Sequence, residues 1–223
     1  GVSADPLYQS AYSQFCYEIP FMPGQTQYMD TPVVPTSAFA GAGYNNPDCA
    51  YPDTTPAISE VDGDAVGPWV SAPGTAHPIN IYALGDKQVN NYGYSGPSAT
   101  ASPYNQKTVT RHYGFGALQG SGTVKIGGVT ATVNSWSDQQ ITVTLPATGT
   151  QVPACSLQQQ AQYGGLNALC GEVIVTAGNG KQSIDTVTLT IGGKPPTRVT
   201  PGQTIQSVID AAMPGDLIIV PSG

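Results

Sequence analysis

GTVKIGGVTATVNSWSDQQITVTLPA, residues Gly122 to Ala147, holds the most regular pattern in the chain. Thr123 to Ile126 reads as a strand. Gly127-Gly128 then supplies a tight hairpin turn, because glycine takes positive φ without a Cβ clash. Val129, Ala131 and Val133 alternate with Thr130 and Thr132. Ile141, Val143 and Leu145 alternate with Thr142 and Thr144, and Pro146 ends the run. A period of two sends successive side chains to opposite faces. Each strand therefore offers one apolar face to a core and one Thr-rich face to water.

The same pattern extends outward. Upstream, Ala57 to Val61 and Ile79 to Leu84 alternate. Thr108, Thr110 and His112 alternate with Val109, Arg111 and Tyr113, and Gly114-Phe115-Gly116 follows as a turn. Downstream come Val173-Ile174-Val175, the turn Gly178-Asn179-Gly180, and Val187, Leu189 and Ile191 set between threonines. Short alternating strands separated by turn residues predict an all-β fold, an antiparallel β-sandwich over 57–192. Gly85 to Pro103, rich in Asn, Gly, Tyr and Ser, reads as a long surface loop. Residues 1–56 read as an irregular extension, since Pro20, Pro23, Pro32, Pro35 and Pro47 interrupt any long element.

Residues 193–223 change character. Ile205, Val208, Ile209 and Ala212 mark one face of a short helix with Thr204 as its N-cap. Pro214-Gly215-Asp216 turns the chain into Leu217-Ile218-Ile219-Val220, a continuous apolar run expected of a strand buried on both sides. A helix and one strand cannot bury themselves. The chain is expected to continue beyond this point, and the segment as it stands either to pack on the sandwich or to pair with a neighbouring molecule along its open strand edge.

Composition narrows the function classes. Charged residues make up 9% of the 223, with 27 glycines and 20 prolines, against a usual charged share of about 25%. Net charge is −7. Seven cationic side chains cannot form a phosphate-tracking stripe, which argues against nucleic acid and against anionic membranes. No apolar run approaches the ~20 residues of a membrane span. The chain opens at Gly1 without an apolar leader, as a mature product does. Its four cysteines fall into local pairs, Cys16 with Cys49 and Cys155 with Cys170. The even count and polar surroundings favour two disulfides in an extracellular or cell-surface setting, against the alternative of four buried thiols.

Candidate chemistry is sparse. His77 and His112 lack neighbours at metal-ligand spacing, and His112 reads as a structural strand residue. Glu60, Asp62 and Asp64 are the one calcium candidate, since alternating carboxylates around a glycine can wrap a hard cation. No other cofactor or metal is expected. Glu18, Glu60 and Glu172 sit in no recognisable cleft motif, and no G-x-S-x-G is present. Tyr92, Tyr94, Tyr104 and Trp69 are the candidates for stacking on sugar rings. Trp136 could stack in the same way, and for both tryptophans the alternative is packing within a sandwich strand or turn.

Two stretches resemble known families. Gly114-Phe115-Gly116, the run Gly122 to Ala147, and GEVIVTAGNGKQS from Gly171 to Ser183 together resemble an IPT/TIG domain. That resemblance implies an immunoglobulin-like sandwich and no single activity. Two insertions depart from it, one before Gly114 and one carrying Cys155 and Cys170. PGQTIQSVIDAAMPGDLIIVPSG, from Pro201 to Gly223, is similar to the N-terminal cap of right-handed parallel β-helices of the pectate-lyase-like superfamily. The layout resembles part of a large bacterial extracellular protein. The expectation is a non-catalytic structural or interaction module that spaces or caps a β-helix. The alternative is a carbohydrate-binding accessory module of a polysaccharide-active β-helix enzyme, with polysaccharide or another surface protein as partner. Peptide mapping of the unreduced chain is expected to return Cys16–Cys49 and Cys155–Cys170. Crossed pairs or free thiols contradict this reading.

Overall fold

The computed structural model describes residues 50–64, 67–94, 96–149, 151–155, 167–213 and 215–221. Most of the 1–56 extension, with Cys16, Glu18 and Cys49, lies outside the described residues. Two compact units are present: Gly1–Asp53 with Lys87–Arg111, and Thr54–Asp86 with His112–Gly223.

The described elements run in chain order as β1 (Ile58–Asp62), β2 (Trp69–Val70), β3 (Ile79–Ala83), β4 (Gly85–Asn90), β5 (Thr108–Tyr113), β6 (Thr123–Ile126), β7 (Val129–Thr130), β8 (Thr132–Trp136), β9 (Gln140–Thr144), β10 (Ala168–Thr176), β11 (Val187–Gly192), β12 (Thr197–Arg198), α1 (Ile205–Ala211) and β13 (Ile218–Ile219). In the larger unit one sheet has the order β1-β3-β9-β8 and is antiparallel throughout. A second has the order β2-β11-β10-β6-β7, antiparallel except where β2 runs parallel to β11. The described residues are thus all-β apart from the short helix.

Both sheets feed one core. Ile58, Val61, Ile79, Ile81, Ile141 and Val143 come from the first sheet; Val70, Val124, Ile126, Val173, Val175, Leu189 and Ile191 come from the second. Register explains the burial. Ile79 faces Val143 and Ile81 faces Ile141 across β3–β9, while Val124 faces Val175 and Ile126 faces Val173 across β6–β10. These branched side chains suit a pleated surface and stack directly opposite one another.

Three features depart from the sequence reading. The alternating run from Val129 breaks at Ala131: β7 pairs with β6 in one sheet, and β8 pairs with β9 in the other. Ala131 is buried at the crossing, its N–H donating to Val124 O at 2.9 Å. A methyl is small enough to pass between the layers. Second, Thr190 and Thr144 were expected to face water, yet both are buried. Thr190 is opposite Trp69 in the parallel pair, and the Cys170 sulfur lies 3.9 Å from its hydroxyl, so the outer face of β11 is covered there. Third, the presumed loop after Gly85 begins as β4, hydrogen-bonded to β5 as a separate two-stranded ribbon. In the smaller unit the loop beyond it is organised by Asn91. Its amide donates to Pro103 O and Gln106 O, both at 2.8 Å, and its Oδ1 accepts from Gly93 N at 3.0 Å.

The C-terminal segment pairs β12 with β13 in parallel, with α1 as the crossover. Thr204 caps α1 as expected, accepting from Ser207 N at 3.1 Å. The strand expected to be buried on both sides is half-buried at Ile218 and Ile219. Ile219 seats against Gly67: a Cβ there would lie 2.5 Å from Ile219 Cδ1.

Cys155 and Cys170 form a disulfide across 15 positions, tying the segment after Leu145 to β10. Backbone bonds Cys155 N to Ala168 O (3.0 Å) and Cys170 N to Pro153 O (2.8 Å) flank it. Replacing both by serine is expected to lower the unfolding free energy by about 3 kcal/mol, the chain-entropy value for a loop of this size. Urea denaturation followed by tryptophan fluorescence measures it; a change near zero contradicts a constraining role.

Candidate functional site

One polar convergence in the larger unit lies where β5 ends. His112 sits between two carboxylates supplied by other elements. Its Nδ1 meets Asp86 at the start of β4, and its Nε2 lies 3.0 Å from Asp138 Oδ1 and 2.9 Å from Oδ2. Neutral imidazole has one N–H; imidazolium has two. Two flanking carboxylates therefore favour the charged ring. The hydrogen bond to Asp138, then that to Asp86, raise the His112 pKa above its ordinary value against a smaller opposing effect of burial.

Asp138 also shapes the Gly114-Phe115-Gly116 turn. Its backbone carbonyl accepts from Phe115 N at 2.8 Å, and its Oδ1 accepts from Gly116 N at 2.9 Å. Trp136 donates from Nε1 to Gly116 O at 3.0 Å, and its ring meets Phe115 edge-on at 6.4 Å. Both glycines are required. A Cβ on Gly114 would lie 2.2 Å from Asp138 Oδ1, and Gly116 has φ +87°.

An open groove of about 640 Å³ runs over this turn, with Thr54, His112, Leu118, Asp138 and Asn179 among its walls. Thr54 has φ 60°, a strained conformation for a β-branched residue. Three bonds hold it: its N–H to His112 O (2.9 Å), its carbonyl from Asn179 Nδ2 (2.9 Å), and its hydroxyl from Lys181 Nζ (3.2 Å). Leu118 is 82% exposed at the rim. The polar groups of the groove are bonded to one another, and both nitrogens of His112 meet carboxylates. This geometry suits a structural clamp more than proton transfer to a substrate, which needs a ring nitrogen aimed at the reacting atom.

A second cluster joins Asp64, Ser71 and His77. Asp64 Oδ2 accepts from Ser71 N and Ser71 Oγ, both at 2.7 Å, and from His77 Nδ1 at 2.9 Å. Burial raises the Asp64 pKa, but these three donors outweigh it and the net shift is downward. Serine, histidine and aspartate meet without the order of a catalytic triad, because Ser71 and Asp64 share the same ring nitrogen.

The structure does not assemble the calcium candidate. Glu60 is exposed on β1, Asp62 is half-buried on the same strand, and the Asp64 carboxylate is taken by Ser71 and His77. Among the described residues no three His, Cys, Asp or Glu side chains are placed to hold a metal. Asp62 Oδ1 is buried with no hydrogen-bond partner among them. Trp69 is likewise no stacking platform: it is 6% exposed and donates from Nε1 to Gly192 O at 2.8 Å. Tyr104 is 53% exposed, beside Gly93, whereas Tyr92 and Tyr94 are half-buried. Glu172 accepts from Thr186 Oγ1 across β10–β11.

The sequence reading missed the His112 cluster because Asp86 and Asp138 each lie 26 positions away, where no local spacing rule reaches. The usable signal was the glycine pair around Phe115, which implies a neighbour pressed against the turn. No family model and no curated protein matches the chain. Gly114→Ala is expected to destabilise by roughly 2 kcal/mol or more, as overpacking does. In an Asp138→Ala background the same change should cost distinctly less. Additive losses in a thermal-melt double-mutant cycle would show that Asp138 is not the colliding group.

Proposed function

We propose that this chain is a non-catalytic structural module of a secreted or cell-surface protein, an immunoglobulin-like sandwich of IPT/TIG kind that spaces or caps a parallel β-helix. The observation that carries this reading is the unfinished surface of β12, α1 and β13. A parallel pair joined by a helix ordinarily belongs to a larger sheet with covered faces. Here α1 turns Val208 inward at 6% exposure. Ile205 and Ile209, four apart on α1, remain 49% and 50% exposed and share one helix face. Met213, beyond the extended cap at Ala212, is 65% exposed, and Val220 is 51% exposed. An apolar face beside an open strand edge suits docking of further strands, either more of its own chain or a second copy.

The groove at His112 supports the non-catalytic part, since its polar groups satisfy one another. A carbohydrate-binding accessory role is the second reading. Its support is Tyr104 at 53% and Tyr51 at 50% exposure in the smaller unit.

Light scattering across a range of protein concentrations tests the first reading. The wild-type chain is expected to associate as concentration rises. Ile205→Glu with Ile209→Glu should give a monomer whose melting point is nearly unchanged, because exposed positions typically move stability by no more than about 0.5 kcal/mol. A wild-type chain that stays monomeric throughout argues against an adhesive C-terminal surface. Saturable heat on titration with a polysaccharide, lost in Tyr104→Ala, would instead favour the second reading.

A further inference from the structure

We propose that Asp86, His112 and Asp138 form a proton-operated latch at the root of the β4–β5 ribbon, closed when the imidazole carries two protons and opened on the Asp86 side when it carries one. Three elements meet there: Asp86 from β4, His112 from β5, and Asp138 from the turn between β8 and β9. Asp86 meets Nδ1 of the ring and Asp138 meets Nε2. The nearby cations are engaged elsewhere. Arg111 donates to Ala50 O and Tyr51 O, and Lys181 donates to Thr54.

The two arms are unequal. The Asp138 side chain is 29% exposed, and Gly116 N–H and Phe115 N–H fix its carboxylate and its carbonyl. The Asp86 side chain is 65% exposed and regains water at little cost. Imidazolium donates to both. Loss of one proton leaves one nitrogen with a lone pair facing a carboxylate, which repels it. The proton that remains stays on Nε2, where Asp138 is held in place, and the Asp86 contact opens. The wall of the groove also loses a positive charge.

The sign follows from the direction of the shift. His112 is raised above its ordinary pKa, with Asp138 the largest cause and Asp86 the next. The latch therefore contributes fully at pH below the ordinary histidine value and is lost as pH rises through the folded-state value. Its side chain is 43% exposed, so solvent screening keeps the contribution small.

Long-range ¹H–¹⁵N correlation spectra of the intact chain from acid to alkaline pH follow the ring directly, with His77→Asn separating the two histidines. The expected result is a His112 midpoint above the ordinary value and, at high pH, the Nε2–H tautomer. Asp86→Asn should move that midpoint down, and the protection factors of the Asp86 and His112 amides in the wild type, corrected for the intrinsic pH dependence of exchange, should fall by roughly two- to fivefold across it. A midpoint at or below the ordinary value, an Nδ1–H tautomer, or a midpoint unmoved by Asp86→Asn overturns the latch. The tautomer requires no variant at the site, so it decides even if Asp86→Asn misfolds.

Discussion

The grip of Asp138 on the Gly114-Phe115-Gly116 turn is the contact around which the rest of the larger unit is arranged. One residue supplies a backbone carbonyl to Phe115 N–H and a carboxylate oxygen to Gly116 N–H. The chain leaving β5 is thereby bent so that the Phe115 ring drops fully into the core that both sheets share. Trp136 closes the same turn from β8 by its bond to Gly116 O and its edge contact with Phe115. A buried aromatic ring is among the largest single apolar contributions a domain has. Its placement here depends on a polar clamp that tolerates no Cβ at Gly114.

That arrangement explains which parts of the fold were legible in the sequence. Strands β6, β9, β10 and β11 were readable because their burial follows the period of two that apolar and threonine residues spell out. The reading failed where a neighbour from far along the chain changes what a face sees. Thr190 is buried because β2 and the Cys155–Cys170 disulfide cover it. Trp69 stood among the stacking candidates because its two-residue strand is too short to show which face it occupies. The Ala131 crossing kept perfect alternation through a change of sheet, so the pattern gave no warning. Strand β4 was hidden by its polarity: an exposed ribbon has no apolar face to advertise.

The site followed the same logic. His112 was visible as a residue and its strand was visible as a strand. Its partners come from different elements, so neither could be paired with it by spacing. The glycines flanking Phe115 were the local trace of that long-range contact, being forced by a side chain that the local sequence does not contain. At the C-terminus, by contrast, the helix and its Thr204 cap were legible because capping is local chemistry. Which face of α1 is covered depended on the sheet beneath it. Val208 packs down while Ile205 and Ile209 do not.

A chain with so few charges concentrates them. Among the described residues, histidine takes part in the ion pairs at Asp64, Asp86 and Asp138, and Lys194 pairs with Asp216. Histidine pairs act over a narrower range of pH than lysine or arginine pairs. Asp64 has a lowered pKa, so its hydrogen bonds stabilise above its ordinary value of 3.8 and are lost as pH falls through the folded-state value. His112 is raised, so its bonds stabilise below its ordinary value of 6.5 and are lost as pH rises through its own folded-state value. The two contributions are complete together only between those limits. The polar clamps thus act jointly in mildly acidic conditions, while the apolar core that Phe115 completes has no titratable group of its own and holds on both sides of that window.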